Sequence, residues 1–188
     1  MKYPVHRAIL FLIFTLVCTH VASQTSVLAG PAFQAYPTGS IPGVHLELGL
    51  TDRASLTGRI GYNIVYHGDA GVHDDERGGG FGFSLGYRRH LGGALSRWFG
   101  EMRCDIWFNE IDWEDRSGDT VVAEGTSEVT VVQPTAKVGY RLAIGQGGTQ
   151  LVPSLAFGAE INAQTKGAAV GQGAILLVGL SLGIPIGG

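Results

Sequence analysis

Eight stretches of this chain alternate apolar and polar residues with period two, which constrains its fold more than any motif does. Val44, Leu46, Leu48 and Leu50 alternate with His45, Glu47 and Gly49, giving a strand with one apolar and one polar face. The same pattern puts Leu56, Ile60, Tyr62, Ile64 and Tyr66 opposite Thr57, Arg59, Gly61 and Asn63. It puts Phe81, Phe83, Leu85 and Tyr87 opposite Gly82, Ser84, Gly86 and Arg88. Trp98, Met102, Cys104, Ile106 and Phe108 oppose Glu101, Arg103, Asp105 and Asn109, and Val132, Ala136, Val138, Tyr140 and Leu142 oppose Gln133, Thr135, Lys137, Gly139 and Arg141. Leu151 to Asn162 and Leu176 to Ile184 repeat it, with Glu160 on the polar side. A weaker segment, Ser26 to Tyr36, completes the eight.

The connections alternate in length. Residues 51–53, 92–97 and 145–149 read as short turns, and residues 67–79, 114–126 and 164–173 as long polar loops; the first loop on the long side, 37–41, is brief. Strands of about ten residues, even in number, with turns at one end and loops at the other, suit an all-β, eight-stranded antiparallel up-and-down transmembrane barrel. Closure leaves no open edge and satisfies every backbone group, as hydrocarbon requires. Pro134 interrupts one strand where it cannot donate to a ladder, which predicts a bulge or a local break there.

An address precedes the barrel. Lys2 and Arg7 followed by the largely apolar run Ala8–Val17 and the small residues Val21 and Ser23 form a secretory signal peptide, residues 1–23, with residues 24–188 as the barrel. That run is too short to span a bilayer as a helix. Val17 stands where a lipoprotein signal wants a small residue before Cys18. Cleavage leaves Cys104 as the one cysteine of the exported part, so no internal disulfide can form.

Alternation by itself does not say which face is outside, and a soluble exported barrel around an apolar ligand is the mirror-image reading. Residue size favours the polar face inside: Gly, Ser, Thr and Asn fit a narrow eight-stranded interior, and the large apolar residues would overfill it. With 15% charged residues and 45% hydrophobic ones, the chain has little to cover a soluble exterior. Tyr62, Tyr66, Trp107 and Phe108 toward the loops, and Tyr87, Trp98 and Tyr140 toward the turns, read as two interfacial girdles. A formal net charge of −3 gives no basic surplus for nucleic acid.

The polar face predicts an ion-pair layer in the lumen, formed by Glu47, Arg59, Glu101, Arg103, Asp105, Lys137, Arg141 and Glu160, with Arg88 also inward. Confined charges of opposite sign should pair, because an unpaired buried charge is costly. Such a layer shuts a narrow barrel. His73, Asp74, Asp75 and Glu76, and Asp112, Glu114, Asp115 and Asp119, read as solvated acidic loop tips; Arg116 stands where a calcium loop needs a ligand. No catalytic, cofactor or metal site is expected. The enzyme alternative, a lipid-modifying barrel, needs a histidine beside a serine, and His45, His67, His73 and His90 show no such pair on one strand face. Glycines 78–80 and 82 lack the lysine and helix of a phosphate loop and read as the start of a strand.

The signal peptide, the alternating segments and the loop alternation together resemble the small eight-stranded outer-membrane barrel proteins of Gram-negative bacteria. The resemblance implies the cell outer membrane as location, and outer-membrane lipid, lipopolysaccharide and the barrel assembly machinery as partners. It implies a non-enzymatic role exercised through the external loops, whose ligand the residues do not name. The chain departs from the family pattern at its last strand, which ends Leu182, Gly183, Ile184, Pro185, Ile186 rather than on an aromatic residue.

Overall fold

The computed structural model describes residues 26–68, 71–92 and 97–186; the signal peptide expected at residues 1–23 lies outside them. Every element among them is a strand: β1 (Val27–Tyr36), β2 (Gly39–Thr51), β3 (Ala54–Tyr66), β4 (Asp75–His90), β5 (Trp98–Ser117), β6 (Thr120–Tyr140), β7 (Leu142–Ile144), β8 (Thr149–Lys166) and β9 (Gly173–Pro185). Each pairs antiparallel with its neighbour, β1 pairs with β9, and β6 pairs with β8. Eight strands thus close into a ring. β7 continues β6 beyond Arg141 and extends its pairing with β8.

The period-two faces fall as the sequence predicts. Ile60 and Phe81 are 70% exposed on the outer surface, with Leu85, Met102, Phe157 and Val178 also exposed, whereas their strand neighbours Arg59, Ser84, Glu101 and Arg103 are buried in the lumen. Register explains why the alternation must hold: a slip of one residue would move every apolar side chain to the opposite face. Tyr62 meets Phe81 edge-on at 4.9 Å near the loop end, and Trp98 meets Tyr140 at 4.9 Å near the turn end. These pairs bound the apolar band.

Two proline positions break the ladder locally. β6 and β8 pair at Val132↔Ile161 and again at Thr135↔Gly158, with no pairing at Gln133 or Pro134 between. The same gap opens at Pro31, where β1 and β9 pair at Ala29↔Ile184 and resume at Ala32↔Ser181. A closed barrel has no edge on which to place a proline, so the missing donor costs one stretch of pairing on one side of the strand.

Residues 114–126, expected as a loop, form a hairpin instead. β5 and β6 stay paired to Ser117↔Thr120, with one register shift between Asp115 and Arg116 that leaves Val122 out of the pairing, and the turn is Gly118 and Asp119, with Gly118 at φ 63°. Only glycine takes that left-handed conformation freely. β5 is 20 residues long, about 65 Å along the strand at roughly 3.3 Å per residue, far more than an apolar band about 25 Å tall requires. The hairpin therefore projects beyond the band. Its polar residues lie on both faces, which erases the hydrophobic alternation by which a strand is read.

Candidate functional site

The lumen is built in two layers. Toward the turns, β2, β4, β5 and β6 bring charged side chains together. Arg88 is the hub: it binds Glu101 at 2.7 Å, pairs with Glu47, and lies 3.9 Å over the ring of Phe99. Glu101 also takes Lys137 Nζ at 2.5 Å, and Glu47 pairs with Arg141 at the turn-end mouth. One level up, Asp105 accepts from Arg59 at 2.9 Å and from Arg103 at 3.0 Å, and Gln34 Oε1 accepts from both guanidinium groups.

Seven of the eight residues expected in the layer thus meet in one charged region made of two clusters, Glu47, Glu101, Lys137 and Arg141 around Arg88, and Arg59 and Arg103 around Asp105, which line a common cavity. Glu160 does not join it. Its strand position, paired with Gly173, sits nearer the loops, and its carboxylate accepts a 3.3 Å hydrogen bond from Gln133 Nε2. Gln34 and Phe99 share the network but carry no charge by which it could be foreseen.

Toward the loops the lumen holds an apolar cluster beside buried Asn63, Asn109 and Gln133, where a polar interior was expected. Tyr36, Ile41, Val65, Trp107, Val129 and Leu177 pack together, with Ile41, Trp107 and Leu177 fully buried. Trp107 is the clearest correction. Expected in a girdle, it shares the parity of Asp105 and Asn109 and points inward, where Arg59 lies 5.2 Å from its ring. Space for it comes from Gly82, directly opposite on β4, where an added Cβ would collide with the indole ring. Gly139 makes room for Phe99 in the same way.

At the loop end, Glu76 is fully buried rather than solvated. Its carboxylate accepts from Val72 N at 2.7 Å, His73 N at 3.2 Å, Gly171 N at 3.0 Å and His67 Nδ1 at 2.5 Å. It ties the β3–β4 loop to the β8–β9 loop. Burial pushes this carboxyl up, and the His67 and backbone hydrogen bonds together outweigh that and hold it below its ordinary 4.5. His73 stacks on Trp113 at 4.1 Å and reaches Asp115 and the Ala169 carbonyl, both at 3.0 Å.

The depressed Glu76 carboxyl has a signed consequence. Its contribution is present above about pH 4.5 and is lost as pH falls through the lower folded value. Glu76→Ala should free both loops at neutral pH. Limited proteolysis of the folded protein is expected to cut residues 67–74 or 167–172 in the variant at least tenfold faster than in the parent, and equal rates would remove the tie.

On the projecting hairpin, Glu110 faces Glu128 and Glu114 faces Glu124 directly across the strands. Like charges in that relation are unfavourable. Lys166 binds Glu128 at 2.9 Å and Arg116 binds Glu114 at 2.7 Å, which offsets part of the repulsion. Asp112 accepts from the Thr126 hydroxyl at 2.6 Å. Among the described residues, no group of three or more His, Cys, Asp or Glu is arranged to hold a metal.

These features define a class: a small eight-stranded barrel with an apolar exterior, an ion-paired layer inside and loops joined at one end. Among solved structures, the chain is similar to Neisserial surface protein A (NspA), with a TM-score of 0.50, 9% identity, and coverage of 86% of this chain and 97% of that one. It is also similar to the N-terminal β-barrel domain of Pseudomonas aeruginosa OprF, with a TM-score of 0.47, 15% identity, and coverage of 87% and 100%. No protein-family model matches the chain, and no curated protein does.

Proposed function

We propose that this protein is an integral outer-membrane barrel without enzymatic activity, closed through its lumen, that contacts its surroundings through the β5–β6 hairpin and the joined loops. The observation that carries the reading is the inverted polarity: a continuous apolar exterior around buried Arg59, Arg88, Glu101 and Arg103. In water that arrangement would leave large apolar side chains wet, opposing the hydrophobic effect, whereas the lumen charges are offset by their own ion pairs in either medium. In a bilayer the apolar exterior is matched by its solvent, and the backbone closes without an edge. The barrel fold shared with NspA supports it. Outer-membrane lipid and lipopolysaccharide would then surround the band, and the barrel assembly machinery would insert it.

A soluble barrel for an apolar ligand would need an apolar cavity. The lumen cavity found here is about 40 Å³ and is lined by Arg59, Arg88, Arg103 and Lys137. For a lipid-modifying enzyme, a histidine would have to be free to activate a nucleophile. His73 has both ring nitrogens engaged, by Asp115 and the Ala169 carbonyl, and His67, oriented by Glu76 through Nδ1, has no serine among its hydrogen-bond partners.

Heat-modifiability tests the reading. The full chain, expressed in a Gram-negative host, should appear in the outer-membrane fraction and migrate differently in detergent gels before and after boiling. Recovery from the soluble periplasm with no mobility shift would reverse the assignment of the two faces.

A further inference from the structure

The lumen network carries more positive than negative charge. Arg59, Arg88, Arg103, Lys137 and Arg141 meet three carboxylates, Glu47, Glu101 and Asp105. Arg141 sits at the mouth with a fifth of its side chain exposed, but the other four cations are at most one-tenth exposed. The surplus is concentrated at one place. Four of the cations line the same cavity of about 40 Å³, and Glu101 is the one carboxylate that does.

Two polar atoms in that lining lack a protein partner. Arg59 Nε and Thr57 Oγ1 are buried and make no hydrogen bond within the protein, and both residues are more than nine-tenths buried. A buried donor left unsatisfied is costly, and a buried unpaired cation more so. The cavity exceeds the roughly 10–15 Å³ that one water-sized occupant needs. Its space, its sign and its idle donors therefore ask for the same thing.

We propose that this cavity is a binding site for one small monovalent inorganic anion of chloride size, held among Arg59, Arg88, Arg103, Lys137 and the Thr57 hydroxyl. The anion balances charge that the three carboxylates leave uncompensated, and it supplies an acceptor for Arg59 Nε and Thr57 Oγ1. It is a constituent of the folded lumen and requires no passage through the barrel. Gluconate, an organic anion of six carbons, is the bulky comparison ion.

The test uses the full chain refolded from urea into detergent, in sodium chloride or in sodium gluconate at equal ionic strength, with thermal unfolding as the readout. Chloride should raise the unfolding midpoint by several degrees and saturate with concentration, as a site that exists only in the folded state must. Bromide should substitute, and crystals grown in bromide should show its anomalous density in the cavity. Lys137→Met, which removes one cation from the lining, should need at least tenfold more chloride for the same shift. Equal midpoints in chloride and gluconate, or a rise that never saturates, would overturn the site. So would a cavity without bromide density. If Lys137→Met does not fold, the saturation and the density in the parent decide the matter.

Discussion

Glu101→Gln is expected to destabilise the barrel by about 3–5 kcal/mol, the cost of removing one partner from a buried ion pair. The carboxylate holds Arg88 at 2.7 Å and Lys137 at 2.5 Å. Arg88 keeps Glu47, but Lys137 has Glu101 as its only ion-pair partner among the described residues and would be left buried without one. Neutralising both ends together should recover most of the loss: the Glu101→Gln, Lys137→Met double variant leaves Arg88 on Glu47 and strands no lysine. Urea unfolding followed by tryptophan fluorescence provides the measurement. If the single variant loses less than about 1 kcal/mol, close to the worth of an exposed pair, the layer is hydrated and the lumen is not closed there.

Replacing Cys104 by Arg should cost about 2–4 kcal/mol, the penalty for a cation on the lipid face near the midplane of a barrel. Cys104 is exposed on the outer surface between Met102 and Ile106, and on β5 it lies between Trp98 at the turn-end girdle and Phe108 toward the loops. It pairs with Leu85 on one side and Pro134 on the other, so no cross-strand carboxylate is at hand to receive the guanidinium. Cys104→Ser should be mild. Refolding yield and unfolding midpoint in lipid vesicles distinguish the two variants, and an Arg variant as stable as the parent would mean that this face does not meet lipid.

The two predictions probe opposite faces of β5, and that strand shows how far parity alone can be trusted. Glu101, Arg103, Asp105, Trp107 and Asn109 all share one parity and all point inward. Trp107 is misread when residue type is put ahead of parity, because an indole suits a membrane interface as well as a packed interior. The signal that places it is on β4, where Gly82 stands opposite and leaves room for the ring. Glu76 is misread for a related reason. An acidic run in a polar loop looks solvated, and nothing within 73–76 announces that the chain will fold three backbone amides and His67 around one of its carboxylates.

The sequence by itself determined the eight strands, their inward and outward faces, and the break at Pro134, because each follows from local backbone geometry with a period of two residues. Only the tertiary structure decided the rest: the closure of β1 on β9, the pairing of Lys137 with Glu101, the separation of Glu160 from the network, and the apolar layer above the charges. Those depend on the stagger between strands far apart in sequence, which sets the height at which each inward side chain enters the lumen. Parity tells which side of the wall a residue occupies, and register tells whom it meets there.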